Sequence, residues 1–347
     1  MKLLIIGAGQ SGRGFIPQFT TAQDKLVFVD KNHELINQLK VAGQYNIRYY
    51  GTEKRRTIQN FEAYTWEDLP EDAVDSCDFI ATSVGEENFS EAIESLKKFK
   101  TAFQKVFITF ENGTSPAEHL EKVIEEAVSE HPTVTQAAIF TTTTNEGIDI
   151  ASQDYLMLAY DCERYTADFP FRHCVPTSSF GKLLQRKIYT YNCLSAVISY
   201  PGAYFGYENL SEAAHDPRIA EMIEEVLRIL NPALAGEFQI TQEEQEDFAG
   251  QALQKFRNPH IYDPIERNVR AVERKLGLKE RLFGPISIVE KAGINANALY
   301  RIVAYALYYN KNEKSPLATL LSGTGLEEAH HFIKRSLEEY DAIFGIS

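Results

Sequence analysis

The segment KLLIIGAGQSGRGF, residues 2–15, sets glycines at Gly7, Gly9 and Gly12 directly behind an apolar run. A GxGxxG in that position narrows what the chain can fold into, because each glycine answers a different steric need. Gly7 permits a tight turn, Gly9 lets the backbone approach a pyrophosphate, and Gly12 lets the following helix pack close to the strand. The helix that starts at Gln10 and Ser11 then offers unpaired amides to the phosphates. Alone the motif is a weak signal. It gains weight from Asp30, which closes the next apolar run, KLVFVD, at roughly the 20-residue distance expected for a carboxylate that accepts hydrogen bonds from an adenosine ribose. Asp30 repels a 2′-phosphate, so the expected cofactor is NAD and not NADP; neighbouring Lys31 softens that preference without reversing it.

Short β-branched runs continue to alternate with amphipathic stretches up to about residue 150, in DFIATSV, KVFITFEN and TQAAIFTTTT. This order implies an α/β domain, a Rossmann-type doubly wound parallel sheet with crossover helices. Between the second and third strands, YNIRYYGTEKRRTIQNFEAYT alternates around the Gly51 turn and reads as a β insertion. DYLMLAYDCERYTADF reads as another strand or strand pair, a candidate cover for a cleft. From about Gly181 the period becomes helical. Thr241 followed by Glu244 is a capping box, and NALYRIVAYALYY and LEEAHHFIKRSLEEYDAIF carry apolar residues at three- and four-residue spacing. We therefore expect a dinucleotide-binding domain at 1–180 and an all-helical substrate and catalytic domain at 181–347. With no low-complexity linker between them, the two are expected to share a substantial interface and a cleft.

The balance of 35 basic against 49 acidic side chains, a formal charge of −14, disfavours nucleic acid and anionic membranes as partners and leaves small molecules. The start, MKLLIIGAG, has neither the shape of a signal peptide nor the length of a membrane span, so a cytoplasmic location is expected. Cys77, Cys162, Cys174 and Cys193 form no CxxC pair and fit reduced thiols. No His/Cys/Glu set has metal-ligand spacing, so no metal is expected, and the adjacent His330 and His331 read as solvated. Tyr50 and Lys54 make a Tyr-x-x-x-Lys pair, but it straddles the Gly51 turn instead of riding on a helix.

RKIYTYNCLSAVISYPG, residues 186–202, sets a lysine and an asparagine into an otherwise apolar helix. At about 100° per residue, Asn192 lies roughly 140° and Ser195 roughly 80° from Lys187, so the three fit on one side. Two readings stay open here. Lys187 near the helix start can snorkel to solvent while Asn192 bonds nearby backbone. Alternatively, desolvation beside a cofactor depresses the Lys187 pKa and makes it a general base, with Asn192 donating to a substrate oxygen.

The chain resembles the long-chain mannitol dehydrogenase family, and most closely its branch acting on mannitol 1-phosphate. The likeness runs nearly end to end, through GAGQSGRGF, TSVGEENF at 82–89, FENGT at 110–114, KIYTYN at 187–192 and FRNPHIYDPIERNVRAVERKLGLKERLFGP at 256–285. The lysine-to-asparagine spacing of five also favours it over hydroxyacid dehydrogenases, where that spacing is four. The resemblance implies that Lys187 is the base, that Asn192 and Asn112 are oxyanion donors, that Ser195 stands at the family's catalytic histidine position, and that Val84, Gly85 and Asn112 contact the cofactor. It further implies that Arg267, Arg270, Lys275 and Asn145 bind substrate hydroxyls or a phosphate. Two departures stand out: Ser195 replaces the family's histidine, and Asn145-Glu146 replaces an Asp-Arg pair. Three functions follow as expectations. The first is NAD-dependent interconversion of a sugar alcohol, or its phosphate, with the corresponding ketose. The second is oxidation or reduction of a hexuronate-type sugar acid, and the third is a catalytically weak NAD-binding protein.

Overall fold

Every residue from Leu3 to Ile6 of the first strand, β1 (Lys2–Ile6), is buried, which requires cover on both faces of the sheet it joins. The structure, a computed structural model, describes residues 1–155 and 157–312; His330, His331 and the LEEAHHFIKRSLEEYDAIF stretch lie outside them. The chain divides into two compact units, Met1–Leu184 and a second that begins at Gln185.

In the first unit β1 joins β2 (Lys25–Val29), β5 (Phe61–Tyr64), β6 (Phe79–Thr82), β7 (Val106–Thr109) and β8 (Val134–Gln136) in a six-stranded sheet of order β5-β2-β1-β6-β7-β8. All of its pairings are parallel. Leu3, Ile5, Leu26 and Phe28 point into one core with Phe15 and Tyr45, and Leu4, Ile6, Val27 and Val29 into the other with Ile93 and Leu120. The crossover helices are α1 (Gln10–Gly14), α2 (His33–Ala42), α3 (Glu71–Asp75), α4 (Phe89–Leu96) and α5 (Pro116–Ala127). Strand order reverses between β1 and β6, the topological switch point at which open α/β sheets bind ligands.

The β insertion is present but larger and differently bounded than expected. β3 (Tyr45–Tyr49) and β4 (Arg55–Ile58) pair antiparallel around Gly51, while Phe61–Tyr64 leaves the insertion to become the edge of the main sheet. A hairpin from much later in the chain, β9 (Thr143–Glu146) and β10 (Asp149–Ser152), completes a four-stranded sheet of order β4-β3-β10-β9. The TQAAIFTTTT run is accordingly split, with β8 ending at Gln136 and Thr143 starting β9 in the other sheet. β11 (Leu158–Asp161) and β12 (Cys174–Thr177) pair in parallel.

From α6 (Phe180–Lys187) onward the described chain is helical: α7 (Cys193–Tyr204), α8 (Leu210–Ala213), α9 (Pro217–Phe238), α10 (Gln242–Phe256), α11 (Ile265–Val269), α12 (Val272–Lys275), α13 (Phe283–Lys291) and α14 (Asn297–Asn312). α7 is the hub of the second unit. Cys193 through Gly202 are all buried, as an all-round apolar helix must be, against α9, α11 and α14. Thr241 caps α10 by accepting from Glu244 N at 3.1 Å.

Candidate functional site

In the first unit a cavity of about 220 Å³ opens at the carboxyl ends of β1, β2 and β6, with Gly7, Gly9, Asp30, Val84 and Trp66 among its walls. Gly7 has φ +99°, and a Cβ there would fall 2.2 Å from the Ser83 carbonyl oxygen. A Cβ on Gly12 would come within 1.8 Å of the Gly7 oxygen, so the turn and α1 pack backbone on backbone. Gly9 has the opposite surroundings: nothing of the protein lies within 4 Å of where its Cβ would stand. That combination fits a diphosphate laid over a bare peptide. Gln10 and Ser11 open α1 and are half-buried, but α1 is only five residues long and passes through Phe15 into a 3-10 turn containing Pro17.

Asp30 ends the adjacent strand with its carboxylate pinned, Oδ2 accepting from Ala8 N at 2.7 Å and Oδ1 from Asn32 N at 2.9 Å. Lys31 turns to Glu91, 2.9 Å away, so this wall of the cavity carries two carboxylates against one ammonium. Val84 lines the cavity, whereas the Gly85 amide is committed elsewhere. The Glu111 carboxylate accepts from Val84 N at 2.8 Å and Gly85 N at 3.1 Å, tying the β6 loop to the β7 loop that carries exposed Asn112. Burial pushes the Glu111 carboxyl up to about 7, against the two amides that lower it and with Glu86 and Glu87 adding to the rise. Neither Glu111 nor Trp66 emerges from sequence reasoning. Trp66 had one signal, as the sole tryptophan of the chain standing just after a strand.

Lys187, Asn192 and Ser195 belong together in the second unit, but not on the regular helix expected. Between α6 and α7 the residues Ile188–Asn192 form a π turn, with the Cys193 N–H reaching back to Ile188 O. The i→i+5 pairing widens the turn and brings residues five apart nearly over one another, which aligns Lys187 with Asn192 better than a 100° step does. Side chains hold the bulge. Fully buried Gln245 on α10 donates to Thr190 Oγ1 at 3.0 Å and accepts from Arg186 Nε at 2.8 Å, and the Tyr189 ring fills the place where a Cβ of Gly284 would stand.

Lys187 is 6% exposed, so its side chain does not extend into bulk solvent as the snorkelling reading expected. Burial, helped by the charges of Lys255 and Arg281, pulls its pKa down to about 7. Lys275 is equally buried and is also lowered to about 7, by burial first and then by Arg281, Arg274 and Arg270. Arg281 is thus a common neighbour of both lysines. Asn192, the last residue of the π turn, is half-buried. Ser195 Oγ donates to Asn268 Oδ1 at 3.0 Å; Asn268 in turn donates to Asp263 Oδ1 at 2.8 Å and accepts on its backbone oxygen from Lys275 Nζ at 2.6 Å. Asn268, which no sequence signal singled out, therefore ties Ser195 to Lys275. Arg267 is exposed and 3.8 Å from Asp263, and Arg270 is exposed at the end of α11. Asn145 belongs to β9 of the first unit, where its Oδ1 accepts from Arg13 Nη2 at 3.1 Å; adjacent Glu146 is ion-paired with Arg48.

Among the described residues no helix is long and apolar enough to cross a membrane. Residues 1–153 match the model of the mannitol dehydrogenase Rossmann domain, and residues 181–324 match that of the mannitol dehydrogenase C-terminal domain. The mannitol-1-phosphate 5-dehydrogenase of Exiguobacterium sibiricum is 26% identical to this chain, over 94% of it and 91% of the relative. That of an Arthrobacter species is 28% identical, over 95% and 92%. A solved mannitol 2-dehydrogenase of Pseudomonas fluorescens, in ternary complex with NAD and D-mannitol, shares the fold with a TM-score of 0.76 at 14% identity, covering 99% of this chain and 92% of that one. With one family's two models laid end to end along the sequence, the chain belongs to the mannitol dehydrogenase family.

Proposed function

We propose that this protein is an NAD-dependent dehydrogenase that interconverts a phosphorylated sugar alcohol with the corresponding ketose phosphate. The observation that carries the chemistry is Lys187, a lysine buried at the end of α6 where the π turn begins, with its pKa near neutrality. An alcohol carbon that loses hydride must also lose its hydroxyl proton, and a neutral amine of this pKa takes that proton at physiological pH. Bound NAD supplies the hydride acceptor. In the reverse direction the Lys187 ammonium returns the proton to the carbonyl oxygen. Asn192 and Asn112 donate hydrogen bonds to the substrate oxygen as its charge develops. Ser195, held by Asn268, orients the substrate without itself titrating near neutrality.

The cofactor preference rests on Asp30 and Glu91, two carboxylates on the wall where a 2′-phosphate would have to sit. Asp30→Ala is expected to weaken NAD binding about tenfold and to shrink the preference over NADP by a similar factor. Quenching of Trp66 fluorescence by each cofactor measures both, and an unchanged NAD/NADP ratio would remove the ribose contact. Residues 1–180 then form the cofactor domain and 181–347 the substrate domain of a cytoplasmic small-molecule enzyme.

Phosphorylation of the substrate is supported by the company Lys187 keeps. Burial lowers Lys187, Lys255 and Lys275, and nearby cations add to it: Lys255 and Arg281 at Lys187, Arg267 at Lys255, and Arg281, Arg274 and Arg270 at Lys275, with Asp263 and Glu280 offsetting part of the effect at the last two. Such a group is stabilised by an anionic ligand, and arginine forks suit phosphate oxygens. The names of the curated relatives point the same way. A carboxylate fits the same cations, which keeps a sugar acid as the second reading. Purified protein with NAD and a panel of free polyols, polyol phosphates and sugar acids, followed by NADH absorbance, decides. Turnover of the phosphate at least about tenfold more efficient than that of its free polyol is expected, and Lys275→Ala should abolish the difference. Turnover only with sugar acids selects the second reading, and cofactor binding without turnover of any substrate selects a non-catalytic protein.

A further inference from the structure

The glycine-rich turn is held from behind by a cation to which the proposed chemistry gives no part. Arg13 is 1% exposed. Its Nε donates to Ala8 O at 2.5 Å, Nη2 to Asn145 Oδ1 at 3.1 Å and Nη1 to Ile148 O; its own carbonyl accepts from the Tyr45 hydroxyl at 2.8 Å. The Tyr45 ring faces the guanidinium, 5.9 Å from its centroid. All three acceptors of the guanidinium are neutral oxygens. Among the described residues no carboxylate forms an ion pair with it, and Asp30 and Asp149 act on it only at longer range. A buried guanidinium stays protonated, so the fold keeps a cation one peptide behind the turn at the cost of its hydration.

The bond to Ala8 O has a directional consequence. In a trans peptide the C=O and N–H point to opposite sides, so fixing the Ala8 oxygen toward Arg13 aims the Gly9 N–H away from it. Gly9 is also a wall residue of the cavity, and nothing of the protein lies within 4 Å of where its Cβ would stand. With α1 only five residues long, little aligned dipole stands behind the turn. We propose that Arg13 is a positioning residue that aims the Gly9 amide at the cofactor diphosphate and supplies its counter-charge, and that Asn145 keeps this charge available by binding the guanidinium without neutralising it.

The inference rests on the cavity being a dinucleotide site, and the test separates the two. Asn145→Asp changes charge with almost no change of shape. It is expected to keep the thermal midpoint, or raise it, yet to weaken ADP and NADH binding by about threefold to tenfold at low ionic strength, the loss shrinking as salt is added. Adenosine, which has no diphosphate, should bind wild type and variant alike. Arg13→Met should weaken ADP and NADH by more than about tenfold and Arg13→Lys by less, since lysine keeps the charge but not the fork. Asn145→Asp binding ADP as tightly as wild type across salt concentrations overturns the counter-charge role. Equal losses for ADP and adenosine also overturn it, because they mark a distorted pocket. A wild type that binds neither ADP nor NADH sinks the dinucleotide reading itself, and this proposal with it.

Discussion

Lys187→Ala is expected to lower the turnover rate at least about a hundredfold while leaving NADH affinity within about twofold of wild type. The lysine belongs to the second unit and the dinucleotide cavity to the first, so its loss touches proton transfer and spares the glycine turn. The pH dependence has a definite sign. With Lys187 as the proposed base, alcohol oxidation needs the neutral amine and its rate is expected to rise through about pH 7, whereas ketone reduction needs the ammonium and is expected to fall through the same pH. Stability is linked to the same shift. The folded-state pKa lies below the unfolded value of 10.5, so between about pH 7 and 10.5 the unfolded chain binds more protons and the native state gains stability as pH rises. Lys187→Met, which removes the buried charge and keeps the bulk, should therefore melt several degrees higher than wild type at pH 6.5, with the gain fading toward pH 10. Turnover of the alanine variant within tenfold of wild type, or a pH profile it shares with wild type, would take the lysine out of the reaction.

What was legible in the sequence and what was not divides along a physical line. The GxGxxG turn and Asp30 could be read because their meaning is local: a strand, a turn, a helix and a carboxylate at a fixed distance imply one another through backbone geometry. The helical second half was legible through its period, down to the Thr241 cap on α10. The π turn was not, because a one-residue widening leaves apolar spacing on either side intact and shows only in the hydrogen bond from Cys193 to Ile188. Partnerships across long separations were hidden for another reason. Arg13 meets Asn145 and Ile148 across more than 130 residues, Glu111 meets the Val84 and Gly85 amides, and Ser195 meets Asn268. No local pattern records such pairs, and each is a polar contact that a helix or strand period treats as noise. The same blindness split the β insertion wrongly, since the hairpin Thr143–Ser152 that completes it is encoded about 90 residues after β3.

Gly12→Ala is expected to abolish dinucleotide binding and to lower the thermal midpoint, whereas Gly9→Ala should remove binding alone. The pair separates two uses of glycine that the motif writes with one letter. At position 12 the added carbon would lie 1.8 Å from the Gly7 oxygen and 3.0 Å from its carbonyl carbon. The Cβ is fixed by the main chain and its partner is main chain, so no rotamer relieves the clash, and α1 must lift away from the turn. Overpacking of this kind costs about 1–3 kcal/mol, a fall of roughly 1–4 °C in a chain of this size, and the lifted turn no longer presents its amides in register. At position 9 the carbon meets nothing of the protein within 4 Å, so the fold has no reason to respond. The space it fills is the space a diphosphate needs, and NADH affinity should drop at least about thirtyfold with the melting temperature unmoved. Trp66 fluorescence reads binding and a thermal melt reads stability in the same samples. A Gly9→Ala protein that binds NADH like wild type would mean that no phosphate lies over that peptide, whereas a Gly12→Ala protein with unaltered stability would mean that the strand and α1 are not locked backbone to backbone.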